Sequence, residues 1–263
     1  MSDIYRIKVL SNGYVGTTSL DFTAKIWNVS YDNWTLIRTY SNHNMKVTDL
    51  ELINSDMVAT ASDDKTVQIW SISTGVTNKT ILVSRPWALK LLGNGLYLAC
   101  GLYGPRIEIY DINNEILIAT LSQHSPTTDL ALINDDLLAS SCHDSYIYIW
   151  DISTNALKFT LVGHTNYVEG LKLISTSILA SGSADKTIKL WNVTNGNLIR
   201  TLSGHISEIF LSIDTLDSEK LVSGSIDQTI KLWDVSTGEL LNSTNTGLYV
   251  ISLAVLETTG NAS

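Results

Sequence analysis

Cysteine and proline are scarce in this chain of 263 residues, which has two cysteines and three prolines. Two cysteines cannot form the disulfide framework of a small secreted domain, and no second pair stands at metal-ligand spacing. We expect Cys100 and Cys142 to be small buried apolar residues in a reducing compartment. The sequence therefore predicts no metal site and no cofactor.

Long apolar runs are also missing, although 44% of the residues are hydrophobic. No stretch approaches the ~18 apolar residues that a membrane helix needs. The first residues lack the basic run followed by an apolar run that marks a secretory signal. We predict a soluble protein that is cytoplasmic, with the nucleus as the alternative compartment, and that has no membrane partner.

Positive charge is in deficit, because 17 Lys and Arg face 26 Asp and Glu, for a net charge of -9. A protein of this charge repels nucleic acid and anionic lipid at a distance. The charge therefore argues against nucleic acid as a partner, and the expected partners are proteins or peptides.

What the chain does contain is a repeat of forty-odd residues. Six times an aromatic residue is followed by a small polar or acidic one, at intervals of 43, 40, 40, 41 and 42 residues. The six aromatic residues are Trp27, Trp70, Tyr110, Trp150, Trp191 and Trp233. Around each one the sequence reads as a strand of small residues, a tight turn, and a strand that alternates apolar and polar side chains. The pattern predicts an all-β repeat protein.

Four of these aromatic residues are preceded by a histidine at a similar distance, namely His43, His124, His164 and His205. A period of about 40 to 45 residues with G-H and W-D landmarks resembles the WD40-repeat family. The resemblance covers residues 4 to about 256 and implies a β-propeller made of four-stranded blades.

The resemblance predicts one domain over residues 1–263 with six blades and one extra strand at the C-terminal end. The expected blades cover residues 4–40, 47–82, 87–121, 127–161, 168–202 and 209–244, and the extra strand covers 250–256. Six blades and one extra strand do not make a ring of complete blades. Either the ring has six blades and the last strand packs elsewhere, or the chain is a fragment of a larger, seven-bladed protein. The fragment is favoured, because an open ring leaves unpaired strand edges.

In the WD40 family the loop His, a hydroxyl, the turn Asp and the Trp form a hydrogen-bonded set within a blade. The positions that match in blades 2, 4, 5 and 6 are His43, Thr60, Asp64, Trp70, His124, Ser140, Asp144, Trp150, His164, Ser181, Asp185, Trp191, His205, Ser223, Asp227 and Trp233. Four copies, each joined to a Trp, indicate a structural role rather than a hydrolase triad. We therefore expect no catalytic residue among them.

Blade 3 departs from the pattern. It has no loop His, Gly104 and Pro105 replace the usual turn, and Tyr110 replaces Trp. One interpretation is sequence drift. The other is that the structural residues of this blade have been replaced by residues that bind a partner. The second interpretation selects a partner-binding group on the loops of blades 3 to 5, namely Arg85, Trp87, Tyr103, Arg106, His143 and Tyr167. Trp, Tyr and Arg are typical of interface hot spots, and two Arg beside aromatic rings suit a phosphorylated or acidic peptide.

The predicted function is a non-catalytic protein-interaction scaffold. A substrate-recognition or sensor module of a larger protein, such as a ubiquitin-ligase receptor, is the alternative. RNA or chromatin binding is less favoured. A propeller enzyme with a metal in its channel is also less favoured, because the inner-strand residues expected at one level of the channel include two carboxylates and no His. Those residues are Arg6, Asp49, Ala88, Asp129, Gly170, Phe210 and Ser252.

Overall fold

The computed structural model describes residues 3–11, 13–30 and 33–256. Within these ranges the chain is all-β, and it forms six separate sheets, each made of four antiparallel strands. The single helical element described is a short 3-10 turn at Gly93–Gly95. This confirms the predicted propeller of six four-stranded blades.

The strands follow one another in order within each blade, from the inner strand at the channel to the outer strand. The strands of blades 1 to 3 are β1 (Ile4–Val9), β2 (Tyr14–Ser19), β3 (Ala24–Ser30), β4 (Asn33–Tyr40), β5 (Val47–Leu52), β6 (Met57–Ser62), β7 (Thr66–Ser71), β8 (Thr77–Leu82), β9 (Pro86–Leu92), β10 (Tyr97–Leu102), β11 (Arg106–Asp111) and β12 (Ile116–Ser122). Those of blades 4 to 6 are β13 (Thr127–Asn134), β14 (Leu137–Cys142), β15 (Ile147–Asp151), β16 (Ala156–Leu161), β17 (Val168–Ser175), β18 (Ile178–Ser183), β19 (Thr187–Asn192), β20 (Leu198–Ser203), β21 (Ile213–Thr215), β22 (Lys220–Gly224), β23 (Thr229–Asp234) and β24 (Leu240–Asn245).

Blade 6 and the C-terminal segment differ from the sequence prediction. The inner strand of blade 6 begins at Ile213 rather than at residue 209. The segment 250–256 contains one isolated parallel bridge, between Leu211 and Ser252, in place of a regular strand. Leu211, two residues before β21, bridges to this segment, while the next residue, Ser212, still accepts the Gly224 N–H of blade 6 at 2.7 Å.

The turn between the second and third strands of a blade is shaped by its Asp. In blade 5 the Asp185 carboxylate accepts the backbone N–H of Thr187 at 2.9 Å. The residue between them, Lys186, has a positive φ of 73°. An Asx turn of this kind supports a left-handed residue that an L side chain otherwise avoids. The same turn recurs in blade 2, where Lys65 has a φ of 69°.

The hydrophobic core lies between the blades rather than inside any one of them. One face of blade 5, with Trp191, packs on Ile147 and Ile149 of blade 4. Its other face, with Ile188 and Leu190, packs against Trp233 of blade 6. Fully burying a side chain of this size is worth about 1.5–3 kcal/mol. Each blade therefore depends on both neighbours for its stability.

The C-terminal segment 250–256 continues the ring beyond blade 6. Val250 N–H donates to the Ser225 carbonyl at 3.1 Å, as Ile209 N–H of blade 6 donates to Ser183 of blade 5 at 3.1 Å. Each bond links the end of the second strand of one blade to the segment that follows that blade's outer strand. The segment thus contacts blade 6 as blade 6 contacts blade 5.

A second equivalent bond lies in the channel, where an inner-strand Asp of one blade accepts a backbone N–H from the segment that follows. Asp214 accepts the Val255 N–H at 2.8 Å, and Asp129 of blade 4 accepts the Leu171 N–H of blade 5 at 2.9 Å. On its other side the segment meets blade 1, where Ile7 N–H donates to Ser252 Oγ at 3.1 Å. We call this place, between blades 6 and 1, the seventh position.

The blade faces that border the seventh position are more exposed than their counterparts. Ile230 and Leu232 of blade 6 are half-buried, whereas the equivalent Ile188 and Leu190 of blade 5 are at most 1% exposed. On the other side Trp27 is half-buried, whereas Trp191 is 1% exposed. Only an inner segment fills the seventh position among the residues that the structure describes.

Both cysteines lie inside this framework. Cys100 on β10 and Cys142 on β14 are buried free thiols. Burial raises the pKa of each thiol well above its ordinary value. Neither sulfur is therefore nucleophilic at neutral pH.

Candidate functional site

One face of the disk is built from two loops per blade that are tied together by main-chain bonds. In blade 3 the Tyr103 N–H, on the turn between the second and third strands, donates to the Arg85 carbonyl at 3.0 Å. Arg85 ends the loop that leads into the inner strand. Blades 4 and 5 have the corresponding bonds from His143 to Pro126 at 3.3 Å and from Ala184 to Tyr167 at 2.9 Å. We call this surface the loop face.

Five aromatic rings form a continuous cluster on the loop face. Trp87 stacks on Tyr103 with ring centroids 5.5 Å apart and meets Tyr5 and His143 edge-on at 6.1 and 6.5 Å. His143 in turn stacks on Tyr167 at 4.5 Å. Tyr103 and Tyr167 are 43% and 48% exposed. The aromatic cluster, defined as Tyr5, Trp87, Tyr103, His143 and Tyr167, therefore runs from blade 1 across blades 3 and 4 to blade 5.

Two cations lie over one end of the aromatic cluster. The Lys46 Nζ is 4.7 Å from the Trp87 ring centroid and 5.1 Å from that of Tyr5. The Arg85 guanidinium is 4.3 Å from the centroid of Tyr103. Both cations also face the Asp63 carboxylate, each at 3.6 Å. Both cations at this end therefore already share a carboxylate within the chain.

Arg106 lies apart from these rings. Its Nε donates to Glu108 Oε1 on the same strand at 2.8 Å, and the other Glu108 oxygen accepts the Tyr110 hydroxyl at 2.7 Å. The described contacts place five of the six predicted partner-binding residues together, and Arg106 is the one left out. Each predicted arginine already has a carboxylate partner.

Sequence reasoning did not single out two residues at the centre of this face, Tyr5 and Glu169. Each is the second residue of an inner strand, β1 and β17 respectively. Burial raises the Tyr5 pKa, and Glu169 and Asp63 are among the charges that act on the Tyr5 hydroxyl. No local motif marks either position, because only the ring closure brings the starts of these strands together.

The His, hydroxyl, Asp and Trp set is fully formed in blade 5. His164 Nδ1 lies 2.7 Å from Asp185, its Nε2 lies 2.7 Å from Ser181 Oγ, and Trp191 Nε1 donates to the same hydroxyl at 2.8 Å. Blades 2 and 6 have the same bonds, all between 2.8 and 3.2 Å, through His43, Thr60, Asp64, Trp70, His205, Ser223, Asp227 and Trp233. In each set the imidazole is at most 1% exposed and the carboxylate at most 8% exposed.

The charge states of these sets follow from burial and hydrogen bonding. Burial lowers the pKa of His205, although its bond to Asp227 acts in the opposite direction. Burial alone would raise the pKa of Asp227, but bonds from Thr229, the Ile206 N–H and His205 lower it to about 2. The carboxylate therefore stays ionised throughout the neutral range.

Blade 4 corrects the sequence prediction, because His124 is not in its set. His124 is exposed, and Gln123 occupies the place of the imidazole, where its Oε1 accepts the Ser140 hydroxyl at 3.0 Å. Trp150 Nε1 donates to Ser140 at 3.0 Å, and Asp144 instead accepts the Tyr148 hydroxyl at 2.7 Å. By pairing register Leu121 is equivalent to Leu161 and Thr127 to Val168, so the chain between them is one residue shorter before blade 4 than before blade 5. The sequence position of the His is therefore displaced from its structural position.

The central channel is crossed by Arg6. Its guanidinium pairs with Asp49 of blade 2 at 2.9 Å and with Asp129 of blade 4. These are the two carboxylates expected at one level of the channel; both pair with this arginine, and Asp49 also pairs with Lys8 at 2.9 Å. Within the described ranges no group of His, Cys, Asp and Glu is arranged to hold a metal ion.

A cavity of about 1330 Å³ opens on the channel and is lined by inner-strand residues that include Arg6, Lys8, Glu51 and Lys90. Glu51 binds Lys90 at 2.6 Å and Lys8 at 3.3 Å, and together they lower its pKa to about 2 despite its burial. Both lysines of this cavity that contact Glu51, Lys8 and Lys90, are thus already paired.

No helix among the described residues is long and apolar enough to cross a membrane.

Comparison with known proteins identifies the repeats. The family model described as "WD domain, G-beta repeat" matches residues 34–71, 115–151, 155–192 and 196–234, together more than half of the chain. Each matched segment runs from the outer strand of one blade to the third strand of the next. The matches leave out the inner three strands of blade 3, where the aromatic cluster is centred.

Several curated proteins are similar over more than half of this chain. "Protein SPA1-RELATED 3" of Arabidopsis thaliana is 27% identical over 164 residues, which is 58% of the chain and 19% of that protein. "Nuclear distribution protein nudF" of Aspergillus niger is 26% identical over 184 residues, 60% of the chain and 41% of that protein. "Pre-mRNA-processing factor 19 homolog 2" of Arabidopsis thaliana is 26% identical over 172 residues, which is 61% of the chain and 32% of that protein. The similarity thus spans less than half the length of each of these relatives.

Proposed function

The chain belongs to the WD40-repeat family, and from this premise we propose that it is a non-catalytic scaffold that holds a protein or peptide partner on its loop face. The observation that carries the proposal is the aromatic cluster. Five rings in contact, with Tyr103 and Tyr167 nearly half exposed, form a larger apolar surface than scattered side chains would.

The composition of the cluster favours a protein partner. Trp, Tyr and Arg are enriched at interface hot spots, because they bury a large area with little loss of conformational freedom. The rings are also held in place before any partner arrives, by stacking and by the cations over Trp87 and Tyr103. A preorganised surface loses less entropy on binding.

The remaining polar groups favour binding over catalysis. The His and Asp pairs are buried in the blades, and the channel carboxylates Asp49 and Asp129 are paired with Arg6 and Lys8. WD40 propellers generally serve as interaction scaffolds, and the relatives matched here are longer proteins in which such a disk is one part. A recognition module within a larger assembly, in the cytoplasm or nucleus, is the finer form of the proposal.

The proposal is tested by affinity capture from cells with the wild type and two double variants. Trp87→Ala with Tyr103→Ala removes the middle of the aromatic cluster. Ile116→Ala with Leu117→Ala is the matched control, because both residues are about half exposed on the outer strand of the same blade. We expect partners to be kept by the control and lost from the cluster variant. Identical partner lists for all three proteins would reject the loop face as the binding surface.

A further inference from the structure

We propose that the ligand of the loop face carries a basic side chain, a lysine or arginine of a peptide, and that Glu169 is the carboxylate that receives it. This rests on the proposed function and specifies the chemical class of the partner. It differs from the acidic or phosphorylated peptide that the arginines alone suggest.

The first argument is that Glu169 has no Lys or Arg partner, whereas every other buried acid among the described residues has one. Asp63 faces Lys46 and Arg85, Glu108 faces Arg106, and Asp49 and Asp129 face Arg6. Glu169 is only 8% exposed, yet within the described ranges its carboxylate has no hydrogen bond and no Lys or Arg in contact. A buried carboxylate without a counter-charge is costly to maintain.

The second argument is the set of groups that face Glu169. His143 Nε2, from the turn of blade 4, is 3.9 Å away, and burial lowers the His143 pKa below its ordinary 6.5, so the ring is uncharged at neutral pH. The other charges acting on Glu169 are Glu208 from blade 6 and Asp129 from blade 4, while the Tyr5 hydroxyl of blade 1 also faces it. Burial and the two acids raise the pKa of Glu169 to about 7. Two acids therefore act on Glu169, and the channel cation Arg6 is bonded to Asp129 rather than to Glu169.

The third argument is the aromatic surface above this carboxylate. Rings attract cations to their faces. Trp87, Tyr5 and Tyr103 already hold Lys46 or Arg85, whereas the stacked pair of His143 and Tyr167 holds no cation among the described contacts. Within this pair, His143 is the ring that lies next to the Glu169 carboxylate, at 3.9 Å. The open end of the aromatic cluster and the unpaired acid therefore coincide.

A peptide that crosses the aromatic cluster would place its basic side chain beside Tyr167 and His143, with the charge against Glu169. The cation would supply the missing partner and favour the ionised carboxylate. Binding would then release the proton that Glu169 holds near pH 7. We therefore expect tighter binding at pH 8 than at pH 6.

The test is selection of peptides from a random twelve-residue phage-displayed library on the wild-type chain. The selected peptides are then measured by calorimetry against Glu169→Gln, Glu208→Gln and the Trp87→Ala, Tyr103→Ala double variant. We expect enrichment of Lys or Arg at one position, at least about a tenfold loss of affinity for Glu169→Gln, and a smaller loss for the half-buried Glu208. Replacing the enriched residue by citrulline or acetyl-lysine should have the same effect as Glu169→Gln.

The two proposals fail in different ways. Neutral or acidic peptides that bind Glu169→Gln as well as the wild type, but not the double variant, overturn the basic ligand and leave the scaffold intact. Peptides that bind all variants equally, or a library that yields no binders, overturn both. Glu169→Gln removes a buried charge, so a melting temperature at or above that of the wild type at pH 8 shows that any loss of binding is not due to unfolding.

Discussion

Arg6 and Asp129 are 123 positions apart in the sequence, yet their guanidinium and carboxylate pair directly inside the channel. Arg6 also binds Asp49, so one side chain joins blades 1, 2 and 4. Blades 1 and 4 are not neighbours in the ring. This contact spans the disk in addition to the packing of adjacent blades.

Replacing Arg6 should therefore destabilise the whole domain. Arg6→Met leaves two carboxylates without their shared cation, and breaking a buried pair from one side costs about 3–5 kcal/mol. Arg106→Met is the matched control, because its pair with Glu108 is partly exposed and such pairs contribute about 0–1 kcal/mol. Urea denaturation of the two variants measures the difference. Equal stability would show that Arg6 does not hold the ring together.

Blade 4 gives a paired prediction about two adjacent residues. Gln123→Ala removes the acceptor of the Ser140 hydroxyl, which should lower stability by about 1–3 kcal/mol. His124→Ala removes an exposed ring and should change stability by less than about 0.5 kcal/mol. Thermal melts of both variants measure these losses. A larger loss of stability for His124→Ala than for Gln123→Ala would show that His124, not Gln123, belongs to the hydrogen-bonded set.

Trp191 provides a test of the packing between blades. Its ring is 1% exposed and lies against blade 4, so Trp191→Ala should cost about 3–5 kcal/mol. Trp34→Ala, at a tryptophan that is 52% exposed on an outer strand, is the control and should cost far less. Chemical denaturation compares the two, and similar losses would contradict a core located between the blades.

Glu169 predicts a pH dependence of stability with a defined sign. Its pKa in the folded chain is raised from 4.5 to about 7, so the folded state binds the proton more tightly than the unfolded state. Its contribution is therefore favourable below pH 4.5 and is lost as the pH rises through 7. Glu169→Gln does not titrate, so its stability relative to the wild type should increase from pH 5 to pH 8. Melting curves across this range measure the difference, and a constant difference would reject the raised pKa.

Gly224 tests the seventh position. A Cβ built there would lie 2.2 Å from Val250 Cγ1, so Gly224→Ala should push segment 250–256 away from blade 6. The Val250 and Val255 amides, which donate to Ser225 and Asp214, should then lose protection from hydrogen exchange. Gly104→Ala is the control, because a Cβ there meets nothing within 4 Å. Unchanged protection in both variants would mean that the segment is not held by these bonds.

The repeat frame could be predicted from the sequence because it is local. The spacing from Trp191 to Trp233, the alternating strands and the turn Asp all act within one or two strands, where side-chain period and turn chemistry decide the structure. For this reason the sequence predicts the number of blades, and five of the six blades span the expected residues to within one residue at each end. Blade 6 differs from the prediction where Leu211, before its inner strand, bridges to Ser252, 41 positions further along the chain.

The features that were missed depend on ring geometry or on a loop of altered length. Gln123 replaced His124 because a loop shortened by one residue shifts each side chain relative to the blade. Glu169 and Tyr5 carry no motif and meet only because the starts of inner strands converge on the channel. The sequence predicts Arg6 at the same level of the channel as the two acids, but sequence alone does not show that it pairs with them.

The burial of Cys100 and Cys142 has a practical result for work on this protein. Because both thiols are shielded and protonated, maleimide reagents at neutral pH will spare them. A cysteine introduced on the rim would be labelled alone, with no need to remove the native pair. Fluorophores and spin probes can thus be attached site by site to the wild-type background.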